Sequence, residues 1–143
     1  MKKMLVLSLC MLALVGLSSC DNDDSSGTNF EFRALKVTDA ELPDSFQLGR
    51  TYEIVVTYER PDACTYFQGF DVYPEDTAVR EVTAIGWEDV DRACTQQIIE
   101  GTNSFLFRVI HEKDYTFRFW QSENADGEPQ YLEMTVPIDT TSS

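Results

Sequence analysis

Histidine is almost missing from this chain, with His111 the single one among 143 residues. That scarcity removes most nucleophilic machinery, because a Ser-His-acid set needs a histidine as its base, and no serine sits on a G-x-S-x-G elbow. Zinc lacks ligands for the same reason. His111 falls in the connection His111-Glu112-Lys113-Asp114 between two predicted strands and reads as a turn residue. Basic residues are scarce as well: 11 Lys and Arg face 25 Asp and Glu, a net charge of −14. Phosphate contacts require a basic patch, so nucleic acid is excluded as a partner. Beyond residue 20 there is no sustained 3.6-residue stripe and no apolar run near the roughly 20 residues of a spanning helix. The acids offer carboxylate pairs, but glycoside hydrolysis calls for a larger cleft than a domain of about 110 residues provides. No catalytic residue, cofactor or metal is assigned.

The amino-terminal end carries an address. Lys2 and Lys3 precede an uncharged run, Met4 to Gly16, which ends in Leu17-Ser18-Ser19-Cys20. The run suits a signal-peptide core and is too short to span a bilayer. Leu17 to Cys20 resembles the lipobox of bacterial lipoproteins: a branched apolar residue, two small ones, then the thiol that accepts diacylglycerol. The resemblance implies cleavage before Cys20 and lipid on that cysteine. An ordinary secretory signal is the alternative, although it has no need of a cysteine. On this reading residues 1–19 are a signal peptide, 20–29 a lipidated acidic tether, 30–138 one folded domain and 139–143 a polar tail. The mature chain keeps nine Lys and Arg against 25 acids, a net charge of −16. Several acyl chains on one residue anchor stably, so the membrane is the first expected partner.

Asp21-Asn22-Asp23-Asp24 follows the anchor. Clustered acids there resemble the surface-export signal of Bacteroidota lipoproteins, whereas one aspartate beside the cysteine resembles an inner-membrane retention signal of enteric bacteria. The clustering favours the outer membrane with exposure at the cell surface; a periplasm-facing anchor is the alternative. Two thiols then remain, Cys64 and Cys94. Outside the cytosol an isolated pair reads as one disulfide, with two buried free thiols as the alternative.

Period-two alternation dominates the rest. Tyr52, Ile54, Val56 and Tyr58 share a face, as do Phe105, Phe107 and Val109; Tyr115, Phe117 and Phe119; and Leu132, Met134 and Val136. Weaker strands are predicted over Phe30–Val37, Cys64–Val72, Val79–Trp87 and Thr95–Ile99. Seven or eight short strands separated by turn signals predict an all-β, antiparallel sandwich. Asp114-Tyr115-Thr116-Phe117 resembles the tyrosine-corner segment of immunoglobulin-like and fibronectin type III-like domains. That likeness implies a Tyr115 hydroxyl bonded back to the preceding connection, with its ring in the core.

Over most of its mature length the chain resembles the small lipoproteins of flavobacterium-type Bacteroidota. The likeness rests on the acids after Cys20, Leu42-Pro43-Asp44-Ser45-Phe46, Thr51 to Pro61, Cys64 and Cys94, Tyr115 to Gln121, Asp126-Gly127-Glu128 and Val136-Pro137. It implies a fold and an address but brings no activity.

Two local features have chemistry worth weighing. Ser122 to Glu133 partly matches a calcium loop, with Asn124, Asp126 and Glu133 at ligand positions and Gly127 at the turn. Ser122 in first place and Pro129 inside the loop argue for a plain hairpin turned at Asp126-Gly127. Trp87 and Trp120 are the two large amphipathic rings. Trp120 lies on the face opposite Phe117 and Phe119, where it is a candidate ligand contact for a glycan or a protein; packing at the rim is the alternative. The expected role is therefore a non-catalytic binding or assembly module working with an envelope protein, or else an accessory glycan-binding lipoprotein.

Overall fold

A computed structural model of the protein describes residues 29–141. Cys20, the leader and most of the tether lie outside the described residues. The described chain is all-β, with seven strands and no helix: β1 (Phe30–Glu41), β2 (Thr51–Arg60), β3 (Thr65–Pro74), β4 (Val79–Asp89), β5 (Ile99–Arg108), β6 (Tyr115–Glu123) and β7 (Pro129–Val136). Hydrogen bonding links them in the order β5-β2-β1-β4-β6-β7, with β3 on the other edge of β4.

The first strand serves two neighbours. Phe30–Leu35 pairs with β4, whereas Lys36–Glu41 pairs with β2. Between these halves the register shifts at Val37/Asp39, leaving Thr38 without an opposite residue, and its hydroxyl donates to the Thr57 carbonyl at 3.3 Å. A one-residue slip would ordinarily turn every later side chain to the other face. Here the extra residue bends the strand while keeping an apolar side chain inward, so Leu35, Val37 and Ala40 are all buried.

The sheet curls over so that β2 and β5 pack on strands to which they are not hydrogen-bonded. Tyr58 stacks on Phe67 at 4.8 Å, Phe70 meets Phe105 at 5.3 Å, and Phe107 meets Phe117 edge-on at 5.0 Å. The inward alternation is the predicted one: Ile54, Val56, Tyr58, Phe107, Val109, Tyr115, Phe117 and Phe119 are buried. Phe46, which belongs to no strand, completes this core against Tyr52, Phe107, Tyr115 and Phe117. Its backbone is clamped to the chain end, with Phe46 N–H donating to the Pro137 carbonyl and Asp139 N–H to the Phe46 carbonyl. Tyr115 is fully buried, and its hydroxyl accepts from the Ile110 and His111 amides at 3.1 and 3.0 Å. That is the back-bonding expected of a tyrosine corner. His111 itself is half-buried rather than open, its ring tilted over Tyr115 at 6.3 Å.

Two expectations need correction. The sheet is mixed, not purely antiparallel, because Val79–Val82 of β4 pairs in parallel with Thr116–Phe119 of β6. Successive strands reverse direction; β5 crosses over to pair with β2, so when the chain returns as β6 it runs the same way as β4. Thr95–Ile99 is not a strand either: residues 95–98 are irregular and β5 begins at Ile99. Its first half, Glu100-Gly101-Thr102-Asn103, has no apolar alternation because it lies on a sheet edge with little to bury. Gly101 is placed by its neighbour, since an added Cβ would sit 2.9 Å from the ring of Tyr58.

Cys64 and Cys94 form a disulfide, with Cα atoms 5.7 Å apart, tying the start of β3 to the β4–β5 connection. Beside it, buried Asp62 organises the turn into β3. Its carboxylate accepts from the Cys64 amide at 2.9 Å, the Thr65 amide at 2.8 Å and the Thr65 hydroxyl at 2.9 Å. Burial alone would raise its pKa. The Thr65 hydroxyl, the two amides and the Arg33 guanidinium outweigh that and hold it below the ordinary carboxylate value.

Two stability predictions follow from this corner. Removing the bridge in C64A/C94A should lower unfolding free energy by about 3–4 kcal/mol on the chain-entropy account of a loop this long, read by urea denaturation. No change would mean the bridge constrains nothing. Asp62→Ala strands buried donors and should cost about 1–3 kcal/mol at neutral pH. A carboxylate with a depressed folded pKa contributes fully above its unfolded value, near 3.9, and loses that contribution as pH falls through the folded value. The gap between wild type and Asp62→Ala should therefore narrow as pH falls below about 4; a gap that does not narrow with falling pH contradicts the assignment.

Candidate functional site

Strand parity decides what faces solvent. Because Leu35 and Val37 point inward, Phe30, Phe32 and Ala34 point outward on the same strand. On β4, inward Val82 and Ala84 leave Ile85 and Trp87 facing out; on β3, inward Phe67 leaves Tyr66 facing out. Pairing then aligns them. Phe32 and Tyr66 both sit opposite Trp87, from either side, making a cross-strand row Phe32–Trp87–Tyr66.

The row is packed at one end and open at the other. Tyr66 stacks on Trp87 with ring centres 4.8 Å apart and planes 28° apart, while Phe30 meets Trp87 edge-on at 5.0 Å. Trp87 is half-buried by these contacts, yet Phe30 is 53% and Phe32 69% exposed. The register shift at Phe67/Gly69 brings Gln68 to the same face. Phe30, Phe32, Trp87 and Gln68 line an open concavity of about 310 Å³. The next row, Ala34–Ile85–Gly69, is apolar and low, which leaves the aromatics standing proud of a shallow floor. Outward positions on a solvated sheet are ordinarily polar. Apolar rings gathered there, with one amide at their edge, are the composition of a docking surface.

The same outward face carries charge farther along. Arg118 donates to Glu75 at 2.6 Å and Glu133 at 3.0 Å, and lies 4.2 Å over the ring of Tyr131. The hydrogen bond to Glu75 raises its pKa against the opposing effect of burial, and the Coulombic pull of Glu75, Tyr131 and Glu133 adds to it. These contacts join the turn before β4 to β6 and β7. They hold the guanidinium within the chain, its Nε engaged by Glu133 and one Nη by Glu75.

Of the residues singled out from sequence, Cys64 and Cys94 are brought together as a disulfide, and Cys20 lies outside the described residues. Trp120 is half-buried in a separate concavity of about 230 Å³ with Lys36, Pro61, Ile98 and Gln121, and shares no lining residue with the Phe30–Trp87 cluster. The partial calcium loop is spent on a hairpin. The Asn124 side-chain oxygen accepts from the Asp126 and Glu128 amides, each at 2.9 Å, and Gly127 takes φ 78°. Glu133 points to Arg118, away from Asp126. Among the described residues no group of three His, Cys, Asp or Glu side chains is arranged to hold a metal ion.

The weak strand predicted over Phe30–Val37 does not by itself place Phe30 and Phe32 on the outward face. The signal was there: an aromatic pair at i and i+2, out of phase with Leu35 and Val37. No protein-family model, curated protein or solved structure matches the chain.

Proposed function

We propose that this chain is a lipoprotein anchored through lipid on Cys20 to the outer membrane and exposed at the cell surface. Its domain is a non-catalytic immunoglobulin-like β-sandwich that binds a protein partner in the envelope. The observation that carries the binding reading is the outward row Phe32–Trp87–Tyr66 with Phe30 beside it. Phe30 and Phe32 are the most open members, and neither ring has a polar group to satisfy. An apolar pocket on a partner is the environment that rewards burying them, and such anchors carry most of the energy of an interface. Position supports the same reading. Phe30 follows Cys20 by ten residues, so about 35 Å of extended chain is the farthest the row can stand from the anchor. A lipid-anchored domain with its sticky face that close to the membrane is suited to another envelope component.

The sandwich reading draws on the curled sheet, on β1 passing between neighbours, and on the Tyr115 hydroxyl bonded to its preceding connection. The non-catalytic reading draws on the single histidine and on the internal pairing of the clustered acids. A second reading, accessory glycan binding, is favoured by one feature: Gln68 sets an amide at the edge of the aromatic concavity, as a sugar hydroxyl would require.

Three measurements separate these ideas. Labelling in cells with radioactive palmitate should mark the wild type and fail in Cys20→Ala; label retained in that variant defeats the anchor. Affinity capture from envelope extracts should recover a partner whose yield falls at least tenfold in Phe32→Ala, as expected for losing an anchor worth about 2 kcal/mol. Capture that survives Phe32→Ala and Trp87→Ala defeats the aromatic face. Retention on immobilised polysaccharide, lost in Gln68→Ala, would favour the glycan reading.

A further inference from the structure

Among the described residues, three strands have a neighbour on one side only: β3, β5 and β7. Such an edge presents unpaired N–H and C=O groups to any other strand, and proteins blunt it with proline, bulges or lysine. β3 is broken by the shift at Phe67/Gly69 and ends in Pro74. β7 opens on Pro129 and pairs with a strand whose register shifts at Trp120/Ser122. β5 has none of these devices. It contains no proline or lysine and runs against β2 through ten consecutive pairs without a shift, from Thr51↔Arg108 to Arg60↔Ile99.

We propose that this edge joins two copies of the chain, β5 pairing antiparallel with the β5 of a second copy about a twofold axis at Ser104. Charge sets the occupant and the register. The only charged residues of β5 are Glu100 and Arg108, four positions to either side of Ser104. Antiparallel pairing centred on Ser104 puts Glu100 of each copy opposite Arg108 of the other, at both ends of the contact. Among the described residues each charge lacks such a partner within its own chain. Glu100 faces Glu59 across the β2–β5 pair, and Glu59 is held by Lys36 at 3.4 Å. Arg108 faces Thr51, and among the described residues neither Glu100 nor Arg108 joins an ion pair.

The same register covers the exposed side chains. Glu100, Thr102, Ser104, Leu106 and Arg108 share the outward face by strand parity, so Leu106, 75% exposed, meets Thr102 of the second copy. A parallel, in-register arrangement would set like charges against each other, which cross-strand pairs disfavour. Moving the centre by one residue takes both charges off their partners. β5 itself carries one acid and one base in a chain of net charge −14, and at the axis the Ser104 hydroxyl donates to Glu53 of its own chain at 2.6 Å.

This pairing does not depend on the lipid anchor or on the aromatic face. It is tested by cysteine cross-linking of the full chain in cells, with the unsubstituted chain as the reference for its four native cysteines. Residues on the twofold approach within about 4.5–5.5 Å at Cβ, inside the reach of oxidative bridging after small adjustment. Ser104→Cys should yield a disulfide-linked dimer at least tenfold above the reference on a non-reducing gel. Thr102→Cys alone should not, whereas Thr102→Cys co-expressed with Leu106→Cys should. Adding Arg108→Glu should cut the Ser104→Cys dimer at least fivefold, and Glu100→Arg with Arg108→Glu should restore it to within twofold. Absence of the Ser104→Cys dimer overturns the proposal. So does equal cross-linking at Thr102, an adduct with a different protein, or indifference to Arg108→Glu.

Discussion

The first strand has to satisfy two neighbours, and the extra residue at Thr38 is what lets it do so. Its first half completes β4 and its second half completes β2. Without the bulge, the parity that buries Leu35 and Val37 would leave Ala40 facing out, and the second half would present its polar residues to the core. Much else follows from the arrangement. β1 takes the Ala84–Asp89 part of one β4 edge and leaves only Val79–Val82 for β6, which explains the short parallel pairing there. It also carries β2 away from β4, so β5 pairs with β2 alone and remains an edge.

That geometry divides the molecule into surfaces with different duties. Inside, five aromatic side chains from four places converge: Phe46 from a loop, Tyr52 from β2, Phe107 from β5, and Tyr115 and Phe117 from β6. Arg80 is buried with them, its guanidinium donating to the Asp76, Thr77 and Val79 carbonyls and lying 5.2 Å from the Tyr115 ring centre. A buried cation costs stability unless its donors are used, and here the adjoining turn uses them. Outside, the Arg118 network satisfies its own charges. Phe30 and Phe32 stand exposed on the outward face beside Trp87, close in sequence to Cys20.

Where burial acts on alternate residues, the fold is legible in the chain. Tyr52, Ile54, Val56 and Tyr58, and later Tyr115, Phe117 and Phe119, alternate because one face meets the core and the other does not. The bridge was legible too, since compartment and count left Cys64 and Cys94 for each other. Three things were harder. Phe46 is a core residue with no period, because a loop carries it. The first half of β5 is an edge with little to bury, so its strand character resides in hydrogen bonds that leave no hydrophobic signature. Parallel pairing of β4 with β6 depends on where β5 goes, which is a property of the whole topology. At the surface, the sequence marks Trp87 and Trp120 as the two large amphipathic rings and favours Trp120 as the contact, whereas the contiguous aromatic group forms at Trp87. Adjacency across strands is set by register, with Phe32 and Tyr66 both opposite Trp87, and register leaves no mark in the order of residues along one chain.

The central claim is that the Phe30–Phe32–Trp87–Tyr66 face is kept for binding and not for folding. An exposed aromatic that contributes little to its own domain is expected where function has priority over stability. Phe32 is the sharpest case, 69% exposed and at the open end of its row. The most direct measurement is the urea unfolding free energy of Phe32→Ser against the wild type. The account predicts agreement within about 0.5 kcal/mol, as for surface positions in general. A loss of about 2 kcal/mol or more would show that the ring holds the sheet together and would contradict a face reserved for a partner.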